Sequence, residues 1–90
     1  MRLEPDYKSF RYTVKNRDGH QCQMPGCTHK KRLIVHHIRP YAKYPSLRTD
    51  PNNGITLCRK CHKKVYKKEG QYAPLFLTIV NQNENKKTRN

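Results

Sequence analysis

Apolar residues in this chain come in short runs set among polar ones, and the spacing within each run predicts its local structure. Tyr7, Phe10 and Val14 recur at helical intervals, so residues 6–17 are predicted as a short helix, with Asp6 as N-cap and Gly19 at the C′ position. Met1 to Pro5 reads as a loose start. Leu33 to Ile38 has the β-branched character of a strand that Pro40 brings to an end, and Ile55 to Leu57 reads as a second, shorter strand. Between them Tyr41 to Asn52 has neither periodicity and is rich in Pro, Ser, Asp and Asn, which predicts a structured loop long enough to be functional. Residues 60–69 follow as a helix closed by Gly70, with His62, Val65, Tyr66 and Glu69 on one face and Lys63/Lys67 and Lys64/Lys68 as basic pairs elsewhere. The last apolar run, Ala73 to Val80, is predicted to cover the core as an extended or helical segment, and residues 81–90 read as a disordered basic tail.

Composition limits what these elements can do alone. Ninety residues, 33% hydrophobic, with a mean hydropathy of −1.14, make one small domain whose apolar core is too thin to hold itself together. We place this domain at residues 1–80, with its core at 17–70. Four cysteines offer the missing staple: Cys22 and Cys27 around the Pro25-Gly26 turn, then Cys58 and Cys61. Neither a signal peptide nor a membrane-length apolar run is visible, so the expected compartment is the reducing cytoplasm, that of a host cell if the gene is a phage's. In that compartment four thiolates at this spacing favour a closed structural zinc site over disulfides or unpaired thiols. His20 and His29 flank the first pair and could replace a thiolate, but four cysteines already complete the set.

Charge narrows the partner. Twenty Lys and Arg against six Asp and Glu give +14; four thiolates and one Zn²⁺ bring this to +12. So large an excess calls for a polyanion, and nucleic acid fits better than a membrane surface because no suitable amphipathic helix is present. Lys8, Arg11 and Lys15 on the first helix could lie near a phosphate. No array of Arg, Asn and Gln for reading base edges stands out, so little sequence preference is expected, or specificity borrowed from a partner protein.

One constellation remains. The first strand ends in His36-His37, an asparagine, Asn53, precedes the second, and Cys58-Arg59-Lys60-Cys61 leads into His62. A regular strand would send His36 and His37 to opposite faces, so for both to serve one site the strand must end or bend there.

Val35-His36-His37-Ile38-Arg39-Pro40, Asn53-Gly54-Ile55-Thr56-Leu57-Cys58 and Cys58-Arg59-Lys60-Cys61-His62, with 16 positions from His37 to Asn53 and 9 from Asn53 to His62, resemble the HNH endonuclease family. The resemblance covers residues 17–66, beginning at Arg17-Asp18-Gly19-His20-Gln21-Cys22. It implies a small, zinc-stapled α+β domain whose ββα-metal core, a β-hairpin plus a helix, is preceded by the N-terminal helix and a zinc knuckle. Many relatives carry Asp where this chain has His36, a departure that bears on metal preference.

The activity implied is metal-dependent hydrolysis of DNA phosphodiester bonds, by nicking or double-strand cleavage. His37 would be the general base, His36 and His62 the ligands of one divalent cation, and Asn53 the residue that orients His37. A pair of imidazoles favours Mn²⁺, Ni²⁺ or Zn²⁺ in affinity, while Mg²⁺ could serve by abundance. Arg39, Arg59, Lys60, Lys63 and Lys64 are the candidate DNA contacts. A monomer or weak dimer is expected. The alternative is a noncatalytic zinc-containing module that only binds nucleic acid; a protein-binding zinc knuckle is disfavoured by the charge.

Overall fold

The computed structural model describes residues 5–88, with side chains from Tyr7 to Asn85. Met1 to Glu4, most of the expected loose start, and Arg89 and Asn90 lie outside the described residues.

Helix α1 runs Pro5–Arg17. It stops where Gly19 and His20 turn left-handed at φ 68° and 53°, and His20 N–H and Gly19 N–H return to the carbonyls of Lys15 and Asn16. That pair of bonds is the Schellman closure Gly19 was expected to make. Strand β1, Leu33–His37, pairs antiparallel with β2, Gly54–Cys58, in a register that sets Leu33 against Cys58 and His37 against Gly54. The loop between them contains two short 3₁₀ turns, Pro45–Leu47 and Pro51–Asn53, each opened by its proline. Helix α2, Arg59–Val65, starts directly from β2, and α3, Glu69–Thr88, follows after three residues.

The hairpin is covered on both faces, which is why all five residues of β2 are buried. Phe10 and Val14 of α1 press on Gly54 so closely that a Cβ there would sit 2.9 Å from each side chain. Against the other face lie Val65 of α2 and Phe76 and Val80 of α3, forming one core with Ile38, Ile55, Leu57 and the cysteines. Burying Phe76 alone is worth roughly 1.5–3 kcal/mol. No helix among the described residues is long and apolar enough to cross a membrane.

Two expectations need correction. The helix after Cys58 does not reach residue 69: Tyr66 turns out and is 64% exposed, Lys67 takes a left-handed φ of 66°, and Gly70 lies in the first turn of α3 rather than ending α2. Residues 81–88 are not a disordered tail but the continuation of α3. The reason is tertiary: buried Val80 fixes the helix on the core, and Asn83 reaches Asp18 and Gln23 with hydrogen bonds of 2.9 Å to each.

Candidate active site and metal centre

The cysteines converge although they come from distant parts of the chain. Cys22 N–H bonds the His29 carbonyl and closes the knuckle, while Gln23 N–H bonds the Thr56 carbonyl and fastens it to β2. Cys58 ends β2 and caps α2 by accepting from Cys61 N–H. The four sulfurs lie within 4.8 Å of one another, with Cys27 and Cys58 3.9 Å apart. Tetrahedral Zn–S bonds of ~2.3 Å require sulfurs ~3.8 Å apart, so the donor set fits that ion. Burial and bonds among the thiols raise Cys22 and Cys61 above the ordinary thiol range; on Cys58 the Cys61 N–H, the His29 ring and the neighbouring sulfurs outweigh burial and hold it at about 6. The Cys58 thiolate forms easily, while those of Cys22 and Cys61 need a cation beside them. His29 stands 3.8 Å from Cys27 through Nδ1, next to the cluster rather than replacing a member.

At the other end of the hairpin β1 does not bend between its histidines. It continues through His37, so the two rings take opposite faces, as the period-two geometry of a strand demands. His36 is 6% exposed and faces α2 and α3, with its ring 5.4 Å from that of His62 and 5.7 Å from Phe76. Its Nε2 is buried and has no hydrogen-bond partner among the described residues. Burial, and after it the charge of His62, lower the His36 pKa to about 4, so its ring is neutral at ordinary pH and offers a lone pair. A buried nitrogen with no partner, beside a second imidazole, fits a divalent cation that takes nitrogen ligands.

His37 faces α1. Its ring stacks on Phe10 at 5.1 Å and on Tyr7 at 6.4 Å, with Tyr41 edge-on at 5.2 Å. The Nε2 atom lies 3.0 Å from the Arg48 carbonyl oxygen. Asn53 ties the surrounding backbone together: its Oδ1 accepts from Arg39 N–H at 2.8 Å, its Nδ2 donates to the carbonyls of Arg39 and Leu47, and its own carbonyl accepts from Ile38 N–H. A family model described as HNH endonuclease matches residues 22–68.

The chain belongs to the HNH endonuclease family. No curated protein and no solved structure matches it. In this HNH domain the match spans β1, β2, α2 and the cysteine cluster and leaves α1 and the whole of α3 outside. Yet α1 supplies a clamp for the Asn53 loop that the sequence reading passed over. Arg17 donates at 2.8 Å to the carbonyls of Pro51 and Gly54, on either side of Asn53, while Asp18 holds its guanidinium through two further bonds. Asp18 also accepts from Thr56 N–H and Asn83, so its buried carboxylate has four donors. Arg17-Asp18 entered the resemblance as sequence; nothing local announces that its partners are carbonyls more than thirty residues away.

The candidate DNA contacts divide between the two ends of the hairpin. Arg39 lies at the His37 end, where its guanidinium stands 6.0 Å over the Tyr44 ring and that of Arg48 stands 4.1 Å over Tyr41. Arg59, Lys60 and Lys63 instead line a pocket at the cysteine end, and Lys64 is exposed on α2 outside that lining.

Proposed function

We propose that this HNH protein is a metal-dependent endonuclease that hydrolyses phosphodiester bonds in DNA, nicking or cutting the duplex in the cytoplasm. The unpartnered Nε2 of His36 beside His62 carries the proposal, since it is a metal-ligating nitrogen left without a partner next to a second imidazole. His36 and His62 are assigned as ligands of one divalent cation, Mg²⁺, Mn²⁺, Ni²⁺ or Zn²⁺. When bound, that cation supplies positive charge to offset charge on the phosphate and on the departing 3′ oxygen.

His37 is assigned as the general base. A carbonyl only accepts, so the bond to Arg48 puts the proton on Nε2 and leaves Nδ1 with the lone pair that removes a proton from water. Asn53 keeps the His37-to-Pro40 turn and the 41–52 loop in register, which holds that ring orientation. Adjacent residues are ~3.8 Å apart along a strand, so a phosphate at the outer edge of β1 would lie between the base on one side and the cation ligands on the other. Cys22, Cys27, Cys58 and Cys61 are assigned to a structural Zn²⁺, and Arg39, Arg59, Lys60, Lys63 and Lys64 to backbone phosphates. Sequence preference would be slight unless a partner protein supplies it, and the domain would act as a monomer or weak dimer.

The opposite facing of His36 and His37 favours the other reading, a noncatalytic zinc-containing module that only binds nucleic acid. Supercoiled plasmid incubated with protein and Mg²⁺ or Mn²⁺ separates the two. Nicked or linear product that disappears on chelation is expected. A plasmid bound but uncut under every divalent cation overturns the nuclease reading.

A further inference from the structure

The pocket at the cysteine end is lined by His29, Lys31, Arg32, Arg59, Lys60 and Lys63, with Cys58 at its floor, and has a volume of about 760 Å³. Three of these cations come from α2, but Lys31 and Arg32 come from the turn before β1. The backbone draws the two groups together, because Arg59 N–H bonds the Arg32 carbonyl at 3.0 Å. Among the described residues no carboxylate lines the pocket. Arg32 also holds a left-handed φ of 56°, a conformation in which glycine would be at ease and arginine is not.

The register places this pocket beside Leu33 and Cys58, four strand positions from His37 and Gly54. At ~3.3 Å per residue that separation is ~13 Å, comparable with the axial rise of four base pairs at ~3.4 Å each. We infer that this pocket is a second phosphate site, gripping the duplex backbone several base pairs from the bond that the His37 end would cut. The inference rests on the DNA-binding part of the function proposed above and adds Lys31, Arg32 and His29 to the DNA-facing surface. A point contact at this distance fixes the direction in which the duplex crosses the hairpin and carries no base information.

Arg32→Gly tests it without endangering the fold, because glycine suits the left-handed backbone. The test measures binding of the zinc-loaded protein to a 20-base-pair duplex, with no divalent cation added, between 50 and 200 mM salt, for the parent, Arg32→Gly, Lys31→Ala with Arg32→Gly, and Lys68→Ala as a cation outside the pocket. Each pocket cation removed should lower affinity several-fold and reduce the log–log salt slope by ~1, with an unchanged or higher melting temperature for Arg32→Gly. Lys68→Ala should keep the parental slope. Equal affinities and slopes for the parent and both pocket variants overturn the site, as does an equal loss in Lys68→Ala, which would mean diffuse charge. Plasmid cleavage by the parent, run alongside, keeps the readings apart: a parent that binds through the pocket but never cuts retains the site and loses the nuclease.

Discussion

His37 Nε2 lies 3.0 Å from the carbonyl oxygen of Arg48, eleven residues along the chain. The bond fixes the tautomer of the imidazole and is made possible by the 3₁₀ turns that fold the 41–52 loop back over the strand end. His37→Ala should therefore reduce plasmid cleavage by roughly 10²–10⁴-fold while leaving divalent-cation and DNA affinity near the parent's. Cleavage at the parental rate, or full rescue by added metal, would transfer the base role away from His37.

His36 and His62 should behave differently from His37. Alanine at either should weaken divalent-cation binding in a calorimetric titration, and His36→Asp should regain part of its cleavage in excess metal because a carboxylate is also a ligand. Unaltered cation affinity in both alanine variants would remove them as ligands.

Acid should act on His36 in a definite direction. Its folded pKa of about 4 is below the ordinary 6.5, so between those values the unfolded chain binds a proton that the folded one refuses. The stability from the neutral ring is complete above pH 6.5 and is lost as pH falls toward 4, in total on the order of 3 kcal/mol. Cysteine protonation also erodes stability in acid, so the informative quantity is parent minus His36→Leu in denaturant melts of the zinc-loaded protein with no further divalent cation added. A difference that stays flat from pH 7 to pH 4 would contradict the assignment.

Removing the zinc staple should unfold the domain. Cys58 both contributes to the sulfur cluster and caps α2, so Cys58→Ser, or a strong chelator acting on the parent, should abolish the cooperative thermal transition. Survival of that transition at the parental temperature in both would exclude a structural zinc site.

Arg17→Met should be the most damaging change outside the cysteines and histidines. It leaves the Asp18 carboxylate buried without its counter-ion and releases the carbonyls of Pro51 and Gly54. Breaking a buried pair in this way costs about 3–5 kcal/mol, which urea titration would register as a lower midpoint. Arg17→Lys should recover only part, since an ammonium cannot reproduce the forked contacts. A loss below about 1 kcal/mol for Arg17→Met would show that the clamp is unimportant.

Several features were readable because they are short-range. The α1 stop at Gly19, the two strands, the helical start after Cys58 and the spacing within each of the Cys-x4-Cys and Cys-x-x-Cys motifs all depend on residues a few positions apart. The turn at Lys67 was not, because Gly70 offered the more obvious left-handed residue and only the docking of α3 makes Lys67 take it. Residues 81–88 look disordered by composition, and their helix depends on Val80 and Asn83 meeting a surface built by α1 and β2.

By itself the sequence determined the α+β hairpin-and-helix plan, the cysteine set and the order of His, Asn and His, because each is written in residue type and local spacing. Only the tertiary structure decided that His36 turns toward His62 while His37 turns toward α1, that Arg17 holds the asparagine loop, and that the basic residues gather at two ends of the hairpin. Those outcomes rest on which face of a strand a neighbouring helix covers and on bonds to backbone carbonyls. Carbonyls are alike at every residue, so no pattern of side chains could have named them.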